Sequence, residues 1–268
     1  MTGIGGAMSS APCYGGRPHP VAPVPWAGRP AVKVQVEICV TSFAEAEAAQ
    51  KAGADSIEVC SGLDGGGSTP SFGTLNFLQE RLTIRKRVLV RPGPGGFQYS
   101  ADERQVLLRD VMMSGIGDKS CGIVSGALDT HGLPDVDLIK GIILAAAERE
   151  FTFHRAVDVS SDPIRALEAC MLLGVQRVLT SGGASSALDG ASVLAEFVRR
   201  AKGRMAVAAA AGIGPANVVE IVERTGVEEV HFSAQLPAMP VHGFGSRTIP
   251  DIRKIEGVLE ALGKAGLR

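Results

Sequence analysis

From residue 34 onward the chain alternates between short apolar runs and longer stretches with helical spacing. The apolar runs begin near Val34, Ser56, Arg87, Ser120, Phe151, Arg177, Met205 and Glu229. Between them, Asp102 to Met113 sets Val106, Leu107, Val111 and Met112 at helical intervals. Ser42 to Lys51 is rich in Ala and Glu, with Ser42 placed to cap the helix and Glu45 at its third position. Val136 to Glu148, Asp162 to Leu173, Ala187 to Lys202, Pro215 to Thr225 and Ile252 to Leu267 have the same character. Asp162-Pro163 and Gly214-Pro215 put Pro in a first turn. Gly53-Ala54, Gly174-Val175 and Gly226-Val227 supply the left-handed residue that ends a helix before the chain enters a strand.

Eight such units predict an α/β fold, a (β/α)8 TIM barrel forming a single domain over residues 34–268. The alternative is a doubly wound open sheet. That fold usually carries a glycine-rich turn after its first strand, where this chain has Val40-Thr41-Ser42.

Composition narrows the picture. With 268 residues, 45% hydrophobic, there is material for one large core. A formal net charge of −1 and only 4% aromatic residues give no basic, aromatic-studded surface for nucleic acid. No apolar run reaches the length of a membrane span. Five scattered cysteines, an odd number, argue against a disulfide scaffold and for a reducing, cytoplasmic setting. Residues 1–33, rich in Gly, Pro, Ala and Ser, lack periodicity and a continuous apolar segment. They read as a flexible tail rather than a secretory signal, with Trp26 able to pin them to the barrel.

The candidate chemistry starts with a repeated pattern. Val36-Glu37-Ile38-Cys39 and Ile57-Glu58-Val59-Cys60 each close an apolar run. Residues two apart share a strand face, so two acids and two thiols gather if these strands are neighbours. Acids in apolar strands point to a site rather than to packing. The other predicted strand ends bring Arg91, Ser125, His154-Arg155, Thr180-Ser181-Gly182-Gly183, Ala211-Gly212 and His231-Ser233 to the same C-terminal mouth.

These residues carry a resemblance. Glu37-Ile38-Cys39-Val40, Gly53-Ala54-Asp55, Ile57-Glu58-Val59-Cys60, Gly66-Gly67 and Thr69-Pro70-Ser71 are similar to motifs of the CutC family, named for copper homeostasis. So are Val90-Arg91-Pro92, Gly95-Gly96-Phe97, Tyr99-Ser100, Thr152-Phe153-His154-Arg155-Ala156, Asp158 and Leu179-Thr180-Ser181-Gly182-Gly183. The resemblance covers about residues 34 to 235. It implies a TIM barrel that is cytoplasmic and homo-oligomeric, with copper binding at cysteines matching Cys39 and Cys60. The chain departs from the family pattern at Thr41, where Asp is usual, and at Gly65, where Glu is usual. It departs again at Gly93-Pro94, where an Arg is lost, and along Ala208-Ala209-Ala210-Ala211 in place of glycines.

Two function classes follow. In the first, Cys39 and Cys60 hold Cu(I), whose softness suits thiolates; the plain alternative is two small buried hydrophobes. In the second, an enzyme acts on a small anionic ligand, phosphorylated or carboxylated. Glu37, Glu58, His154 and Asp158 then serve as catalytic groups. Arg91 and Arg155 grip the anion in bidentate fashion, and the Ser181-Gly182-Gly183 amides cradle a phosphate. The plain alternative here is a satisfied salt-bridge network inside the barrel. His231, at the end of the last strand, faces the mouth or is structural.

Overall fold

The eight apolar runs form a closed parallel barrel in a computed structural model that describes residues 33–115, 120–238 and 247–268. The strands are β1 (Gln35–Val40), β2 (Ser56–Val59), β3 (Arg85–Leu89), β4 (Gly122–Ser125), β5 (Phe151–Phe153), β6 (Arg177–Thr180), β7 (Ala206–Ala210) and β8 (Glu229–Ser233). They neighbour one another in chain order, and β8 closes on β1. The helices are α1 (Phe43–Ala52), α2 (Phe72–Arg81), α3 (Ala101–Met113), α4 (Val136–Ala146), α5 (Pro163–Leu172), α6 (Ala191–Ala201), α7 (Val218–Thr225) and α8 (Ile252–Lys264). The alternation of strand and helix is that of a (β/α)8 barrel.

Local sequence accounts for the boundaries. Ser42 Oγ accepts the Glu45 N–H at 3.3 Å and starts α1, and Gly53 ends it with φ of 90°. Ser100 and Glu103 cap α3 reciprocally. Asp162 caps α5 with Pro163 in its first turn. Outward-facing Val36, Ile38, Ile57, Val88 and Ile123 are fully buried against the helices, so the main apolar core lies between sheet and helix ring. Burying each such side chain contributes roughly 1.5–3 kcal/mol.

Three features differ from the sequence expectation. α2 lacks a strong periodic signature because it buries only Leu75 and Leu78. The segment expected to be helical from Ala187 becomes so only at Ala191, after a turn tied down by Ser186 and Asp189. Between β8 and α8 the chain adds a short antiparallel pair, β9 (Gln235–Pro237) and β10 (Thr248–Pro250). Gln235 and Thr248 both donate to the buried Glu45 carboxylate at the start of α1. Residues 1–32 of the expected tail, Trp26 among them, lie outside those described. No helix among the described residues is long and apolar enough to cross a membrane.

Candidate functional site at the barrel mouth

Parallel pairing sets β1 against β2 with Cys39 beside Glu58, and β1 against β8 with Glu37 beside His231. Alternation then points Glu37, Cys39, Glu58, Arg87, Arg177, Glu229 and His231 into the barrel. They separate into a lower and an upper group.

The lower group is a closed ion network around Glu37, which is 2% exposed. Its Oε2 accepts from the Arg87 guanidinium and, at 3.0 Å, from Ser56 Oγ. Its Oε1 accepts from Arg177 Nη2 at 2.8 Å and from His231 Nδ1 at 3.0 Å. Arg177 Nε also donates to Glu229 at 2.6 Å, and Arg87 Nε to Glu150 at 2.6 Å. Burial by itself would raise the Glu37 pKa. Arg177, Arg87 and His231 outweigh it and hold the carboxyl well below the usual range. An ionised carboxylate only accepts, so His231 donates from Nδ1. In the neutral ring Nε2 then carries the lone pair.

The upper group lines a cavity of about 300 Å³ at the C-terminal mouth. Glu58, Cys39 and His231 contribute from the strand interior, Arg91 and His154 from the walls, Arg155 and Lys254 from the loops and α8. Burial, with a lesser contribution from Glu37, raises the Glu58 pKa against the pull of His231 and the arginines. His154 Nδ1 accepts the Ala156 N–H at 3.3 Å. Burial and the nearby Arg91 charge lower its pKa to about 3. The ring is therefore neutral at physiological pH and carries its proton on Nε2. It fits only because residue 126 is glycine: a Cβ there would lie 2.5 Å from His154 Nδ1.

The two sulfurs, Cys39 Sγ and Cys60 Sγ, lie 3.4 Å apart. Their hydrogen bond, burial and the neighbouring Cys60, Glu58 and Glu37 groups push the Cys39 thiol well above its ordinary pKa. Cys39 reaches the cavity, whereas Cys60 packs with Leu89 and Val124. Ligand atoms of Cys39, Glu58 and His231 lie within 4.8 Å of one another, a mixed sulfur, oxygen and nitrogen set able to hold a metal ion.

The sequence-predicted residues thus divide. Glu58, Arg91, His154, Arg155 and Cys39 share the cavity, while Glu37 sits below it in the ion network. The bidentate grip expected of Arg91 is already engaged: Nη1 donates to Gly65 O at 3.0 Å and Gly67 O at 2.8 Å, and Nη2 to Gly95 O at 2.7 Å. The amide cradle is filled as well. The Asp158 carboxylate accepts from Ser181 N at 3.0 Å, Gly183 N at 3.1 Å, Ser181 Oγ at 3.0 Å and Arg155 Nε at 2.8 Å. Gly182 N donates to Thr180 Oγ1 at 2.9 Å. Asp158 therefore stands where a phosphate was expected, and its role is to hold the loop after β6.

The sequence placed Arg87, Arg177 and Glu229 only as strand starts and gave them no role in the site. The period-two series Arg87, Leu89, Arg91 and Glu229, His231, Ser233 would have placed these groups inside the barrel.

Comparison with known proteins agrees with this architecture. A CutC family protein of Xylella fastidiosa (strain Temecula1) is 45% identical over 210 residues, spanning 78% of both chains. One of Xanthomonas axonopodis pv. citri is 46% identical over 200 residues, 75% of this chain and 83% of the relative. The crystal structure of a candidate copper homeostasis protein CutC from Streptococcus agalactiae superimposes with a TM-score of 0.69 at 25% identity, covering 74% of this chain and 98% of that one. Phosphoribosylanthranilate isomerase of Thermotoga maritima, at 13% identity and a TM-score of 0.54, shares the barrel fold alone. The sequence model of the CutC family matches residues 34–236, and the chain belongs to that family.

Proposed function

We propose that this chain is a copper-handling member of its family that carries Cu(I) on the Cys39 and Cys60 thiolates. The single observation behind the reading is the 3.4 Å separation of the two sulfurs, with Cys39 open to the mouth cavity. That spacing lets one soft ion bridge both without moving a strand. The raised Cys39 pKa means the ion must displace a proton, so binding strengthens with pH. A reducing, cytoplasmic setting and a homo-oligomer belong to the same proposal. Anaerobic Cu(I) titration against a chromophoric chelator tests it on wild type, Cys39→Ser and Cys60→Ser. Equal affinity in all three rejects these ligands.

The cluster of Cys39, Glu58 and His231 favours a second reading, in which a borderline divalent ion takes the mixed donor set. The Glu37–His231 hydrogen bond is the carboxylate–histidine arrangement that orients metal-binding imidazoles. Zn(II) affinity that falls in Glu58→Gln but not in Cys60→Ser would favour this donor set over the two-thiol site.

A further inference from the structure

Three groups lining the cavity present buried polar atoms with no hydrogen-bond partner among the described residues: Glu58 Oε2, Arg91 Nε and His154 Nε2. Their residues are 4%, 4% and 5% exposed. Buried polar groups in native proteins are nearly always satisfied, so three together at one cavity mark a place where a ligand supplies the partners. Two of the atoms, Arg91 Nε–H and His154 Nε2–H, are donors, and the third is a carboxyl oxygen.

The charge pattern says what the ligand is. Arg91 is a buried cation held by three backbone carbonyls, and no ion pair among the described residues involves it. Its guanidinium lies over Phe97 at 5.1 Å, and the Phe97 ring meets His154 edge-on at 4.8 Å. Both side chains are therefore held in place, with the buried Tyr99 hydroxyl as a further neighbour of Arg91. Lys254 adds a second cation at the rim, donating to Ser233 O at 2.7 Å over the Phe232 ring. A buried cation without a counter-charge calls for an anion. The amide cradle suited to phosphate is already filled by Asp158. Two fixed N–H donors beside apolar walls from Leu63, Leu89, Leu179 and Ile213 match a planar carboxylate on a short carbon chain. Glu58 supplies a partner for one further oxygen.

We propose that the mouth cavity binds a small 2-hydroxy or 2-oxo carboxylic acid. Arg91 Nε–H and His154 Nε2–H hold its carboxylate, and Glu58 hydrogen-bonds the oxygen on the neighbouring carbon. This goes beyond the copper reading and does not depend on it.

The test is saturation-transfer NMR titration of the full chain with lactate, pyruvate, acetate and inorganic phosphate, without added metal. Lactate or pyruvate should bind at least tenfold tighter than acetate, which lacks the second oxygen, and tighter than phosphate. His154→Phe should weaken that binding at least tenfold. Glu58→Met, similar in size and unable to hydrogen-bond that oxygen, keeps the experiment decisive if His154→Phe does not fold; it should bring the preferred acid to within about threefold of acetate. Cys60→Ser, which lies outside the cavity lining, should leave acid binding within about threefold of wild type while copper affinity falls, separating the two proposals. Equal binding of all four probes, phosphate binding tightest, or variants that bind as wild type would each overturn the proposal.

Discussion

The lower and upper halves of the barrel interior are built from the same residue types and behave oppositely. Below, Glu37 meets Arg87, Arg177, Ser56 and His231, and each arginine reaches a further acid. Above, Glu58, Arg91 and His154 each keep an atom with no hydrogen-bond partner among the described residues. Being charged and buried does not by itself make a functional group, since the lower network is closed on itself. What distinguishes the mouth is incomplete satisfaction beside a cavity. Desolvation acts on both glutamates; arginine contacts reverse its effect at Glu37 and leave it dominant at Glu58.

The sharpest way to break this comparison is to neutralise the two acids separately. Glu37→Gln removes the buried carboxylate that Arg87 and Arg177 share, leaving each with one acid at the edge of the network, and should cost about 3–5 kcal/mol. That corresponds to a melting point lower by roughly 10 °C for a domain of this size. Glu58→Gln removes a charge that burial already disfavours and should change stability by less than about 1 kcal/mol. Thermal denaturation of both variants decides the matter, and equal losses would erase the distinction.

Acid sensitivity gives the next largest effect. The folded His154 pKa, about 3, lies below the ordinary 6.5, so the unfolded chain binds this proton first. Its contribution is fully present above pH 6.5 and lost as pH falls toward 3. Glu37 shares that sign but begins to act only below its ordinary 4.5. Between those two ordinary values, His154 should account for about 2–3 kcal/mol of lost stability. Urea midpoints of a folded His154→Phe variant should lose the fall with acid that wild type shows over this window, and Glu58, whose pKa is raised, should if anything lift them.

Copper affinity should rise by up to about tenfold per pH unit for each thiol proton displaced. A pH-independent Cu(I) constant over pH 6 to 8 would mean that the thiols are not the ligands. The smallest effect concerns Ala211, which lines the cavity with φ of 78°, a left-handed conformation that costs an L-residue roughly 1–2 kcal/mol. Ala211→Gly relieves it, offset by the greater freedom of glycine in the unfolded chain, for a net gain of roughly 0.5–1 kcal/mol. Calorimetry should register a small rise in melting temperature, and a fall would mean that the Ala211 methyl packs usefully.

Much of this was legible in the chain. The β–α alternation predicted the barrel, and the paired Glu-x-Cys motifs predicted a gathering of two acids and two thiols if their strands were neighbours; β1 and β2 are neighbours, with Cys39 beside Glu58. The convergence of Arg91, His154 and Glu58 at the mouth followed from their places at strand ends. What escaped were the assignments that depend on depth. Glu37 and Glu58 occupy the same place in matching motifs, yet the first is locked by arginines from β3 and β6 while the second faces the cavity. Asp158 stands beside Arg155 and His154 in sequence, but folds away into the amides of the loop after β6.

The sequence by itself determined the elements, their order and which side chains turn inward, because helix caps, Gly and Pro signals and strand alternation act over a few residues. Only the tertiary structure decided which inward groups are satisfied and which remain open. That depends on which distant strand supplies a partner, and Glu37 finds Arg177 across 140 residues of chain while His154 Nε2 and Glu58 Oε2 find none among the described residues. Hydrogen bonding and charge pairing are short-ranged in space and indifferent to distance along the chain, so the closing of the barrel makes that selection.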